Sequence, residues 1–157
     1  MIGFLATPQT SAEAQELFDD DVAEVGYVMN VTRLWAYRPD SLNGLYDLLG
    51  GIISAHGMDH RQRGILVGAC AATLGDSYCA LSWGTKLAKA ADEQTAAGVI
   101  TGSDEHLTDA ERAMAAWARK VVRDPNGTGA ADVQQLRDAG FSDEQIFAIS
   151  VFVAFRI

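Results

Sequence analysis

Gly64-Ile-Leu-Val-Gly-Ala-Cys70-Ala-Ala-Thr-Leu-Gly75-Asp76-Ser77-Tyr78-Cys79-Ala-Leu-Ser-Trp83-Gly-Thr-Lys-Leu87 decides the fold. Its first half is an apolar run rich in alanine and free of proline, which favours helix. Gly75 is a helix stop, and Asp76 beside it is an N-cap for a new helix. The stretch therefore predicts two successive helices, His60 to Thr73 and Ser77 to Ala91, with Asp59 capping the first.

The flanks follow the same grammar. Thr10 with Glu13 predicts a capping box and a helix over 11–25, broken by Gly26. A short helix over 31–37 must stop ahead of Pro39, because the residue before proline avoids the α region. Asp40 or Ser41 caps the next, which carries Leu45, Leu48, Leu49, Ile52 and Ile53 and ends near Gly57. Gly50-Gly51 inside it suggests a close helix crossing. Asp92 to Gly98 forms a short helix with Gly98 at its end. Thr108 and Glu111 box a helix over 110–122, with Ala113, Met114, Trp117, Ala118 and Val121 as its apolar stripe. Asp124 to Gly127 is a turn. A helix over 131–139 closes at Gly140, and Ser142 with Gln145 opens a final apolar helix to Ile157. No long run alternates apolar and polar residues, so the expected class is all-α.

Composition narrows the function. The 157 residues suit one domain. Twelve basic against 21 acidic residues give a formal charge of −9, which argues against nucleic-acid binding. No apolar run approaches the ~20 residues of a membrane span. The opening MIGFLATPQTSAEAQ lacks a basic stretch followed by an apolar core, so no secretory leader is expected. Two cysteines are too few for a disulfide framework, and the expected location is the cytoplasm.

Neither metal nor cofactor is expected. His56 and His60 lie four apart, but Gly57 and Asp59 place a helix break between them. Asp19-Asp20-Asp21 and Asp104-Glu105 lack the spacing of a calcium loop and read as solvated faces. Cys70, mid-helix in an apolar run, reads as a small core residue. Cys79 sits three residues after its cap, in the first turn, where free amides and the macrodipole favour a thiolate. The carboxylate of Asp76 would lie close to that sulfur and oppose the dipole, so the two effects should nearly balance. Trp83, one turn on, would cover the sulfur. Cys70 lies nine residues away on another helix, so a bridge between the two is not expected.

The quoted stretch resembles the core of the AhpD-like alkylhydroperoxidase and carboxymuconolactone decarboxylase family, closest to its peroxidase-related branch. Gly26-Tyr27-Val28-Met29-Asn30-Val31 is similar to that branch's entry, and Arg38-Pro39 to the turn that follows. Asp132 to Ile146 resembles its C-terminal helix pair. The resemblance implies an AhpD-like helical bundle as a single domain over 1–157, with a helical N-terminal extension over 1–39 and a core over 40–157. It also implies a homo-oligomer, a trimer or hexamer, while the composition leaves membrane and nucleic acid out of its partners. Redox members of the family carry a glutamate, a Cys-x-x-Cys pair and a histidine. Cys79 falls on the second cysteine, Asp76 on the first, Trp83 on the histidine, and the glutamate falls at or near Gly64.

Three functions follow from the resemblance. One is a thiol peroxidase using Cys79, with Asp76 as the nearby proton carrier. Another is a lyase of the decarboxylase type, with Asp76 as acid or base in a pocket walled by Trp83, Tyr78 and Trp35. The last is an assembly that binds a small peroxide or apolar ligand without chemistry. The expected class is an enzyme of peroxidase type.

Overall fold

The computed structural model describes Leu5, Ala6 and residues 8–157. Met1 to Phe4 and Thr7, on which the leader reading partly rests, lie outside the described residues. Among the described residues there are nine α-helices and one 3₁₀ turn, and no strand. The chain divides into two compact units, Met1–Gly51 and Ile52–Ile157.

The first unit holds α1 (Ala12–Val25), α2 (Asn30–Trp35) and most of α3 (Pro39–Ala55). Ser11, not Thr10, caps α1, because its extended backbone presents its hydroxyl to the Ala14 amide at 3.2 Å. Gly26 closes the helix in the left-handed region at φ 85°, where glycine carries no Cβ penalty. Asp21 corrects the solvated reading of the acidic run. It shares a face with Ala14 and Leu17, is buried, and accepts the Met29 amide at 2.8 Å, so it braces the turn. Pro39 itself begins α3, where its missing amide costs nothing. Gly50 and Gly51 mark no close crossing, since a Cβ at either would meet nothing within 4 Å.

The second unit is built around α4 (His60–Leu74), which packs against α5 (Ser77–Ala90), α6 (Glu93–Thr101), α7 (Asp109–Arg123) and α9 (Asp143–Ala154). Asp59 and Gln62 form a capping box at its start, and Gly75 ends it at φ 71°. Residues 64 to 71 are all buried, so α4 is apolar on every side because helices surround it. The close crossings lie here. A Cβ at Gly64 would sit 2.9 Å from Leu87 Cβ, and one at Gly68 would sit 2.9 Å from Val99 Cγ1. Absent side chains let α5 and α6 approach the α4 backbone.

Capping boxes open α7 at Thr108 and α9 at Ser142, as their sequence signals predict. α8 (Ala130–Asp138) lies between them, followed by Gly140 at φ 95°. α6 departs from expectation. It runs through Gly98 and stops at Gly102, whose φ of 83° supplies the left-handed cap. Gly98 stays helical and instead accepts the Ser103 amide at 2.8 Å. α9 also ends early, at Ala154 rather than Ile157. Arg156 donates its amide to the Val153 carbonyl at 2.8 Å, which turns the last residues out of the helix.

Candidate functional site

Asp76 and Cys79 come together at the start of α5. Asp76, extended at φ −80° and ψ 92°, accepts the amides of Tyr78 at 3.0 Å and Cys79 at 3.1 Å. This is the N-cap the Gly75-Asp76 pair predicts. The same carboxylate lies near enough to the Cys79 thiol for the two groups to shift each other's titration. The Cys79 amide, the Cys79 thiol and the Tyr78 amide hold the Asp76 carboxyl below its ordinary range. Asp76 is therefore ionised at neutral pH.

The thiol moves the other way. Burial, then the Asp76 hydrogen bond and the Asp76 charge, push Cys79 from an ordinary 9.0 up to about 11, against a lowering by Arg156. The near balance read from the sequence weighed helix amides against the carboxylate. Burial, which the sequence reading assigned to a covering Trp83, tips it upward.

A cavity of about 240 Å³ opens beside these groups, lined by Val67, Cys70, Ala71, Asp76, Cys79, Phe155, Arg156 and Ile157. Cys70, at 1% exposed, is the core residue expected, yet it also borders the cavity. Trp83 does not line this cavity. Its ring stacks with Lys86 at 5.1 Å and with Arg156 at 5.6 Å, so it reaches the site through Arg156. Arg156 also lies over the Phe152 ring at 4.6 Å. Tyr78 is exposed and does not line it either. Trp35 belongs to α2, in the first unit.

Arg156 is the residue that sequence reasoning missed. Its signal was present: among residues 146–157 it is the only charged residue, in an otherwise apolar run. Its guanidinium is the cation that lowers both thiols. A helix break separates His56 from His60, since α3 ends at Ala55 and Asp59 caps α4. Among the described residues no group of three or more potential ligands could hold a metal.

Burial also pushes Cys70 from 9.0 up to about 11, against the Arg156 charge. A folded pKa above the unfolded one means that the native state holds its proton longer. The resulting stability is whole below pH 9 and is lost as pH rises toward 11. Two units correspond to about 3 kcal/mol. Urea unfolding should therefore show a drop of that order between these pH values. The Cys70→Ala variant should show a smaller drop, and an equal one would remove Cys70 as its source.

No protein-family description matches the chain, and no curated protein matches it. Solved structures similar to it include the following two. One is an uncharacterized peroxidase-related protein from Silicibacter sp., at TM-score 0.79 and 21% identity, with 97% of this chain and 83% of that one covered. The other is an alkylhydroperoxidase AhpD core, an uncharacterized peroxidase-related protein from Ralstonia eutropha, at TM-score 0.75 and 24% identity with the same coverage. The chain has the AhpD-like all-α fold. A fold hosts many activities, so function rests on the site.

Proposed function

We propose that the chain is a thiol peroxidase acting through Cys79. The observation that carries the reading is the Cys79 thiol, in a first helical turn, lining one cavity with the ionised carboxylate that caps its own amide. Nucleophile and base within hydrogen-bond reach are what activation of a weak nucleophile requires. The sulfur attacks the terminal oxygen of a hydroperoxide. The S–O bond forms, the O–O bond breaks, and Asp76 takes the thiol proton and passes it to the departing alkoxide. The products are an alcohol and a Cys79 sulfenic acid, which an external thiol reduces with release of water. Arg156 offsets the negative charge that develops on sulfur.

Cys79→Ser should abolish hydroperoxide consumption coupled to a thiol reductant. Consumption that persists unchanged would overturn the reading. The second reading is ligand binding in the same cavity without redox chemistry. The protonated state of both thiols at neutral pH favours it. It predicts a thermal shift with small apolar ligands and no turnover.

We further place the protein in the reducing cytoplasm, where thiols return to the free state that both cysteines show. Among the described residues no helix is long and apolar enough to cross a membrane. A homo-oligomer, trimer or hexamer, suits the apolar residues around the α4–α5 turn, where Leu74, Tyr78 and Leu81 are all exposed. Light scattering after size exclusion should give a multiple of the 16.8 kDa chain. A monomer at micromolar concentration would refute this.

A further inference from the structure

We propose that Cys70 is the resolving thiol for Cys79, closing an intramolecular disulfide between α4 and α5 after each oxidation. The inference rests on the thiol-peroxidase reading and gives that reaction its second sulfur.

Nine residues and a helix break separate the two cysteines in sequence. In the structure α4 and α5 are packed neighbours joined only by Gly75 and Asp76, and the Asp76 amide donates to the Ala71 carbonyl at 2.9 Å. Val67, Cys70 and Ala71 form the α4 wall of the cavity, and Cys79 stands on its α5 side. Both thiols are free, and both feel the charge of Arg156, which borders the same space. Their exposures differ. Cys79 is half-buried, whereas Cys70 is 1% exposed. That asymmetry suits a division of labour, since oxidant reaches the outer sulfur and the inner sulfur meets only what forms beside it. A sulfenic acid condenses with a neighbouring thiol.

The steps balance. A hydroperoxide transfers one oxygen to Cys79 and leaves as an alcohol. The Cys70 sulfur then attacks the Cys79 sulfur. The S–O bond breaks, and the hydroxyl leaves as water with the Cys70 thiol proton. Two thiols have lost two electrons to the hydroperoxide.

The test uses the full chain, reduced and freed of reductant. One sample receives one equivalent of cumene hydroperoxide, and a parallel one receives diamide, which oxidises paired thiols without peroxide. Intact mass and peptide mapping follow. With hydroperoxide the mass should fall by two hydrogens, and a Cys70–Cys79 peptide pair should appear that a reductant separates. In Cys70→Ala, and in Cys70→Ser as a second variant, the mass should instead rise by one oxygen, and dimedone should label Cys79. Wild-type chain holding a Cys79 sulfenic or sulfinic acid beside a reduced Cys70 would overturn the proposal. A bond formed by diamide but not by hydroperoxide would overturn the peroxidase reading beneath it. No bond with either reagent would overturn the pairing itself, which requires Cα atoms within ~7 Å.

Discussion

Asp76→Asn should make Cys79 react faster with iodoacetamide at neutral pH, by about tenfold, while making it a poorer peroxidase relative to that alkylation. In the native chain burial is the largest cause of the raised thiol, and the Asp76 hydrogen bond and charge are the next two. Asparagine keeps an oxygen that caps the Tyr78 and Cys79 amides but carries no charge, so helix α5 is retained and the electrostatic brake is released. Alkylation needs only the thiolate and expels iodide, which requires no proton. Hydroperoxide reduction expels an alkoxide, which does. Loss of the proton carrier should therefore lower the ratio of the two rates on the order of 10²-fold. The pH profile separates the causes further. Wild-type alkylation should climb tenfold per pH unit until about 11, whereas the variant levels off earlier. Asp76→Ala adds the loss of the cap, about 1 kcal/mol of stability. If both rates rise together in Asp76→Asn, Asp76 is a brake and not a proton carrier.

What the sequence made legible was local. Asp59, Thr108 with Glu111, Ser142 with Gln145, and the Gly75-Asp76 junction each form the cap expected, because a cap needs only residues within a few positions. The pairing of Asp76 with Cys79 was legible for the same reason. What escaped depends on residues far apart in sequence. Gly98 and Gly102 are both plausible helix stops, and the choice falls to Gly102, whose backbone takes the left-handed turn. Asp21 sits in a run of three aspartates, and only the approach of the Met29 amide singles it out. Arg156 joins the cavity because α9 ends three residues short of Ile157, and the sequence carries no cap signal there. The thiol of Cys79 rises first because it is buried, and where the sequence offered Trp83 as its cover, the cavity beside it is lined by Phe155, Arg156 and Ile157, far away in the chain.

Gly64→Glu should prevent stable folding of the second unit, even though it would introduce the carboxylate that the family resemblance puts at or near this position. The contact that forbids it is not a flexible side-chain tip. A Cβ at position 64 would stand 2.9 Å from Leu87 Cβ, 3.1 Å from its Cδ1 and 3.4 Å from its Cα. Relief therefore requires α5 to move off α4, the helix against which α5, α6, α7 and α9 all pack. Overpacking by a single methyl in such a place costs about 1–3 kcal/mol, the range expected for Gly64→Ala. Glutamate adds further bulk and a carboxylate beside the buried side chains of Ile65 and Leu87, where an unpaired charge is strongly disfavoured. Gly50→Ala and Gly51→Ala are the controls. Both positions are helical with nothing within 4 Å of a new Cβ, so alanine should stabilise α3 by about 0.5–1 kcal/mol. Urea midpoints by circular dichroism measure all four variants. A Gly64→Glu chain as stable as wild type would mean that α4 and α5 are not held at this distance. Cys70 and Cys79, carried by the same two helices, would then lose the shared cavity wall on which their pairing depends.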